Sequence, residues 1–468
     1  MKGKNSKVTK VTVTKTLMLW ASVLVLTVLR LAVATSGSFT QSEAFLSVCA
    51  AHPAGSYIEG PAGAPLLLAL CNLLGGSGLL WMRCISPLAV LILSWCVWSI
   101  GRRIAPHRQA VALWSVLGLN LLPSVNLASL VMNGAVVTAT MVLLAIVAGW
   151  SAVSPTAKNS KGLTPWILFG LALAVGTQFW QMAGLLLPLA IAYFFVNRGT
   201  KALQWRGSLV TLFLLILGWI PSLAWNFRHD WIQFSSVAHG FDSIQIGTFP
   251  LSLGMYVSVG AVVTPLMVRL AYVGRLWRAV VILLACVASL VSAVILLTPQ
   301  LLTLGLPLGF PSPIGVSGLR ELSVEVLSIR KERPDPKGES PFLIASTSGL
   351  AALLGSRISV EYPERPGSPS VFVAESPSLN SSYALWPSYP DAVAEGVKDA
   401  LYTEEKSVSP FLGRNALYIT TEQKEELPQT ISSAFNAVAL LKEVPISVNG
   451  KQQMIRIYQC EGYRTLSL

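Results

Sequence analysis

Acidic side chains are scarce in the first two-thirds of this 468-residue chain. Residues 1–317 hold only four, Glu43, Glu59, Asp230 and Asp242, against nineteen lysines and arginines. Residues 318–468 hold eighteen acids against fifteen bases. Charged residues make up only 12% of the chain and hydrophobic ones 53%. A soluble protein of this length needs more polar surface than that to cover its core, so the first two-thirds belongs in a membrane. The six cysteines include no CxxC pair and no zinc spacing. Cys71, Cys84, Cys96 and Cys286 lie in or beside apolar runs and read as small buried hydrophobes. Cys49 and Cys460 could both face an oxidising compartment, which leaves a disulfide between them open.

What is present is a series of apolar runs separated by short basic loops. A membrane crossing needs ~20 apolar residues. Nine stretches qualify: 17–34, 84–100, 109–126, 134–150, 166–179, 181–196, 207–225, 249–268 and 279–299. Pro123, Ser124, Asn126 and Asn133 divide one long run, and Thr177, Gln178 and Gln181 divide another. The stretch 64–82 contains Gly75, Gly76 and Gly78 and reads as interfacial or re-entrant. The basic clusters are the N-terminal lysines, Arg102/Arg103/Arg108, Lys158/Lys161, Arg198/Lys201/Arg206 and Arg269/Arg275/Arg278. An even number of crossings separates each cluster from the next, so all can lie on the cytoplasmic side. The +12 net charge is therefore a topology signal, and nucleic acid is excluded as a partner. The first run ends in Ala-Val-Ala, like a signal-peptidase site, but its length and Arg30 favour a retained helix.

The expected architecture is mainly α: a polytopic transmembrane helical bundle over residues 1–300, a Pro/Gly-rich linker over 301–317, and a small extracytoplasmic α/β domain over 318–468. Helical periodicity covers Gly318–Ile329, and strand-like runs fall at Phe342–Ala345, Ser370–Ala374 and Ala416–Thr420. Val444–Val448, Asn449-Gly450 and Met454–Tyr458 form a hairpin pattern, since Asn-Gly supplies the positive φ of a type I′ turn.

On this topology all four acids of the membrane half share the external face. Arg30, Arg83 and Arg228 break the positive-inside pattern by lying at or near that face. Snorkelling accounts for Arg30. A ring of guanidinium groups beside carboxylates also suits a phosphate-headed lipid, because guanidinium pairs with phosphate through two hydrogen bonds. A coupled transporter is disfavoured, because no Asp, Glu, Lys or His lies inside the spans.

Several motifs together resemble the GT-C membrane glycosyltransferases of the protein-mannosyltransferase and aminoarabinose-transferase type. The most specific is Pro221–Phe234, PSLAWNFRHDWIQF, similar to that family's P-x-L-x-W-N-x-x-H-D-W-x-S-F. Ser42-Glu43-Ala44-Phe45 stands where the family has Asp-Glu-Ala-Tyr, and Tyr57-Ile58-Glu59-Gly60-Pro61 resembles its aromatic-x-acid element. Arg83 occupies the position of the family's arginine before the second span, and Asn133-Gly134-Ala135 that of Asp-Ala-Pro. Leu319–Leu322, Ala384–Pro387 and Glu461-Gly462-Tyr463 look like the group's periplasmic tail.

The resemblance implies a bacterial inner-membrane enzyme with a cytoplasmic N-terminus. It would move a sugar from a polyprenyl-phosphate donor to a glycan, lipid or protein acceptor at the periplasmic face. Such a transfer needs a carboxylate base and positive charge or a metal at the leaving phosphate. Glu59 and Glu43 are the catalytic candidates, with Glu59 also the candidate ligand of a divalent metal. Arg83, Arg228, His229, Asp230, Asn133 and Asn226 are the candidates for substrate binding. The departures fall on the acids: Ser42 and Asn133 replace the family's two aspartates, and neither can act as a carboxylate base. The alternative is a catalytically inactive protein of the same fold that binds a lipid or glycan.

Overall fold

The computed structural model describes residues 2–35, 39–75, 79–132, 134–153, 162–185, 205–233, 264–303, 316–335, 338–376, 379, 381–391, 409–422, 427–448 and 451–464. It consists of a helical bundle and a six-stranded sheet. In the bundle, α1 (Lys2–Ala34) is followed by α2 (Gln41–Ala51) and a two-stranded hairpin, β1 (Ser56–Tyr57) and β2 (Gly60–Pro61). Then come α3 (Gly63–Gly75), α4 (Leu79–Arg83), α5 (Ile85–Ile104), α6 (Gln109–Leu121), α7 (Pro123–Ser129), α8 (Gly134–Val153) and α9 (Thr164–Phe179). Two further long helices span Trp205–Arg228 and Arg275–Thr303.

Among the described residues five helices are long and apolar enough to cross a membrane, and the bent pair α6–α7 makes a sixth. The helix α9 is apolar but only sixteen residues long. Spans expected at 181–196 and 249–268 lie almost wholly outside the described residues. The stretch 64–82 forms α3 and α4, and thirteen residues of α3 reach only about 20 Å, too short to cross.

The α6–α7 break lies at Pro123 and bends the pair by 61°. Leu122 is extended there (φ −67°, ψ 125°), as the residue before a proline prefers. The carbonyls freed by the break find new donors. Ser292 donates to the Leu121 carbonyl (2.5 Å), and Arg30 and Asn126 donate to that of Asn120 (3.3 and 3.0 Å). Arg30 also donates to the Asn120 and Asn126 amide oxygens and has no exposed surface. It does not snorkel; it seals a broken helix inside the bundle.

The sheet has the order β3 (Val316–Ser317), β7 (Phe435–Val448), β8 (Lys451–Tyr463), β6 (Ala416–Thr420), β4 (Phe342–Ala345) and β5 (Phe372–Val373). The strand β4, next to the edge strand β5, runs parallel to β5 and β6, and the other pairings are antiparallel. All four residues of β4 and all five of β6 are buried, so both faces of the centre are covered, as parallel pairing requires. The expected hairpin is present but longer, and its Asn449-Gly450 turn lies outside the described residues. The end of the expected linker, Val316–Ser317, already pairs with β7.

The sheet's core also crosses the boundary expected at 300. Ala44, Phe45 and Cys49 of α2, with Tyr57 and Ala62, are buried in one cluster with Phe342, Phe372, Tyr389 and Phe411. The first loop after α1 thus packs as part of the C-terminal domain. The end of the bundle that carries this domain is termed the domain face. Cys49 and Cys460 are both buried and both free.

Candidate functional site

The site residues lie on α2 and the β1–β2 hairpin, which pack against the C-terminal domain, and on the end of the Trp205–Arg228 helix, which touches β1. Thr40 caps α2 in a reciprocal arrangement: its hydroxyl accepts from the Glu43 N–H, and its own N–H donates to Glu43 Oε2 (3.0 Å). That fixes Glu43 in the first turn. Arg83, at the end of α4, then grips the same carboxylate through Nε to Oε1 (2.7 Å) and Nη2 to Oε2 (2.6 Å). The Met132 N–H (2.8 Å) and the Thr40 hydroxyl (3.0 Å) complete the set. Five donors therefore converge on a carboxylate with about four lone-pair positions. Glu43 and Arg83 are both fully buried. Arg83 also donates to the Ala34 carbonyl (2.6 Å), which ties α1 to the pair.

Glu59 lies between β1 and β2 and is half-buried. Its Oε1 accepts from the Ser381 hydroxyl and the Ser382 N–H, both at 2.9 Å, and its Oε2 from the Ser382 hydroxyl at 2.5 Å. With the Glu59 N–H as a fourth donor, the carboxylate is held by neutral hydroxyl and amide groups. Burial pushes its pKa above the ordinary glutamate value, and the hydrogen bonds from Ser382, its own backbone N–H and Ser381 counter this only in part. No group of three His, Cys, Asp or Glu side chains converges among the described residues. Among the described residues the surroundings of Glu59 are hydroxyl and amide donors, which do not fit a divalent ion.

The hairpin is also held against the bundle. A Cβ on Gly55 would meet the Pro221 carbonyl at 2.7 Å, and one on Gly63 the Gln178 carbonyl at 2.4 Å. Only glycine allows these approaches. Gln233 Oε1 accepts from Ser56 (3.1 Å), Gln181 (3.1 Å) and Asn226 (2.7 Å). This buried knot joins the hairpin that carries Glu59 to the turn that carries Arg228 and Asp230. Asn226 is fully buried, and its Oδ1 has no hydrogen-bond partner among the described residues.

The PSLAWNFRHDW stretch ends its helix abruptly. Asp230 (φ 51°) and Trp231 (φ 57°) are both left-handed, while the N–H groups of His229 and Trp231 return to the Asn226 carbonyl. Two adjacent non-glycine residues in this region cost of order 1–3 kcal/mol each and tend to mark functional turns. His229 stacks on Trp225 (4.2 Å between centroids), and its Nδ1 lies 2.8 Å from the Trp225 carbonyl; it turns toward its own helix rather than to Asp230. Arg228 and Asp230 are exposed. Asn133 lies outside the described residues.

The sequence candidates therefore separate. Glu43 and Arg83 are spent on each other, Glu59 is held by neutral donors only, and Arg228 and Asp230 are exposed. Sequence reasoning missed Ser381, Ser382, Ser56, Gln181 and Gln233. Their only signal was proximity to recognised motifs, since Ser381-Ser382 immediately precedes Tyr383-Ala384-Leu385-Trp386-Pro387.

Known proteins bear on this arrangement. The sequence model described as dolichyl-phosphate-mannose-protein mannosyltransferase matches residues 59–225, from Glu59 into the Trp-Asn motif. ArnT from Cupriavidus metallidurans in the apo state superposes with a TM-score of 0.55 at 14% identity, over 95% of this chain and 98% of that one. The same protein bound to undecaprenyl phosphate gives 0.53 at 12% identity, over 94% and 97%. The chain has the fold of ArnT. A comparison with curated proteins gives no match. At such identity the likeness is one of fold, and it holds along nearly the whole length, so the C-terminal sheet is part of the shared fold as much as the bundle is.

Proposed function

We propose that this membrane protein is a glycosyltransferase that takes a sugar from a polyprenyl-phosphate donor and passes it to an acceptor at the periplasmic face of a bacterial inner membrane. The observation that carries the reading is the state of the three described carboxylates on the domain face. Glu43 is neutralised by the buried Arg83, whereas Glu59 is oriented by neutral serine and amide donors and is shifted upward in pKa. That direction suits a general base, whose pKa works best near the operating pH.

In this reading the acceptor hydroxyl attacks the anomeric carbon, and its proton passes to Glu59. The bond to the phosphate oxygen breaks, and its electron pair leaves with the polyprenyl phosphate. Arg228 steadies that phosphate through paired hydrogen bonds. Asp230 and the amide oxygen of Asn226 are the neighbouring polar groups for sugar hydroxyls. The binding of undecaprenyl phosphate by ArnT supports the choice of donor class. The basic loops support the orientation, with the domain face external.

The test uses membrane vesicles that contain the protein and are supplied with labelled undecaprenyl-phosphate sugars. Transfer of label that disappears in Glu59→Gln supports the proposal. A second reading, a non-catalytic binder of the same fold, is favoured by Ser42, which stands where the related enzymes carry an aspartate. Retained binding of undecaprenyl phosphate with no transfer from any donor would establish it and overturn the first.

A further inference from the structure

We propose that the end of the bundle opposite the domain face carries a binding site for an anionic phospholipid of the surrounding bilayer, with its phosphate at Arg103 and an acyl chain in an apolar groove. The groove has a volume of about 870 Å³ and lies between α5, α8 and α9. Trp95, Leu144, Leu168, Leu171 and Val175 supply much of its wall, and Arg103 with Ser151 closes one end. Along α9 the lining runs from Thr164 to Val175, about 16 Å at 1.5 Å per residue, the reach of much of one acyl chain. Trp95, Leu168, Leu171 and Val175 are each more than 40% exposed, so the groove opens sideways, where the bilayer surrounds the helices. Hydrocarbon is the solvent there, and a flexible chain fills a concave apolar wall that a flat neighbour cannot.

The polar end selects the headgroup. Arg103 Nη1 donates to the Val147 carbonyl and Nη2 to the Ser151 hydroxyl, both at 2.7 Å. These bonds, with the Trp150 ring 5.8 Å away, hold the guanidinium still. They use two of its five N–H groups. No acidic residue occurs anywhere between Glu59 and Asp230, so no carboxylate of this part of the chain can balance the charge. Arg102 beside it adds a second cation, placed over Trp98. A lipid phosphate supplies both the missing charge and the acceptors. The twenty residues of α5 separate this site from Arg83 by about 30 Å, so it is distinct from the site on the domain face.

The test is native mass spectrometry of the purified full chain with phosphatidylglycerol, phosphatidylcholine of the same acyl chains, or undecaprenyl phosphate. Wild type should retain phosphatidylglycerol in preference to phosphatidylcholine. Arg103→Gln should lower that retention about fivefold, the worth of one interfacial arginine, while Arg103→Lys keeps most of it. Ala148→Trp, which fills the groove and leaves the arginine in place, should lower retention of both glycerophospholipids. Equal retention of the two headgroups, or Arg103→Gln and Ala148→Trp both binding like wild type, would overturn the proposal. Displacement of phosphatidylglycerol by equimolar undecaprenyl phosphate would also overturn it and give the groove to the donor lipid. None of these readouts depends on transfer activity.

Discussion

Glu43 and Arg83 form a two-pronged ion pair across forty residues of sequence, with N–O distances of 2.7 and 2.6 Å and neither side chain exposed. The pair joins α2, which packs in the C-terminal domain's core, to α4 and, through the Ala34 carbonyl, to α1. It is the electrostatic rivet between the two halves of the molecule. Removal of one partner strands a buried charge, which costs about 3–5 kcal/mol. Glu43→Gln and Arg83→Met should each lower the Tm of the purified protein strongly. The double variant should lose much less than the sum, because it leaves no orphaned charge. Additive losses in this cycle would show that the two groups act separately.

Glu59 gives the C-terminal domain a pH-dependent contact. Its pKa is raised in the folded protein, so the native state holds the proton more tightly than the unfolded chain does. The associated stability is fully present below the ordinary glutamate value and is lost as pH rises through the raised one. Thermal stability should therefore fall as pH rises above the ordinary glutamate range, and by more in wild type than in Glu59→Gln, which cannot ionise. Parallel pH profiles for the two proteins would contradict this. The same variant tests catalysis, and its stability profile separates loss of chemistry from loss of fold.

The split between bundle and sheet was legible from composition, since acids are confined almost wholly to the C-terminal third. The strands β4 and β6 coincide with the runs read at Phe342–Ala345 and Ala416–Thr420, because short β-branched and aromatic stretches bounded by polar residues have few other uses. The place of α2 was not legible. Its eleven residues read as a loop between membrane spans, and only the packing of Phe45 and Cys49 against the sheet assigns them elsewhere. The role of Arg30 was hidden for a similar reason. A lone arginine near a helix end reads as snorkelling, and its partners Asn120 and Asn126 lie some ninety residues away, at a break set by Pro123. The site residues were legible as types, but that Glu43 is paired with a buried arginine and Glu59 with serines depends on contacts that no spacing encodes.

Arg228 offers its guanidinium to solvent at the strained turn, in contrast to the buried Arg83. If it steadies the donor phosphate, Arg228→Ala should weaken donor use about tenfold or more, the worth of a charge-assisted hydrogen bond, and leave the Tm nearly unchanged. Arg228→Lys should recover part of the loss, since a point charge replaces a fork. The KM for labelled undecaprenyl-phosphate sugar in vesicles is the measurement. An unchanged KM in Arg228→Ala would remove this residue from the site.

Ser42 is the departure most open to reversal. It is the second residue of α2, beside the Thr40 cap, and is partly exposed. An aspartate there would lie in the first turn, where the helix dipole favours negative charge by about 0.3–1 kcal/mol. It would also leave the Glu43–Arg83 pair intact, because neighbours on a helix point about 100° apart. Ser42→Asp should therefore fold with unchanged or slightly higher Tm and add a second carboxylate on the domain face. If the fold holds donor and acceptor there, transfer in vesicles should rise above wild type, and Ser42→Asp combined with Glu59→Gln should show whether the new acid can replace the old. A stable Ser42→Asp protein with no gain would mean that the acceptor lies elsewhere on this face, closer to Glu59 than to α2.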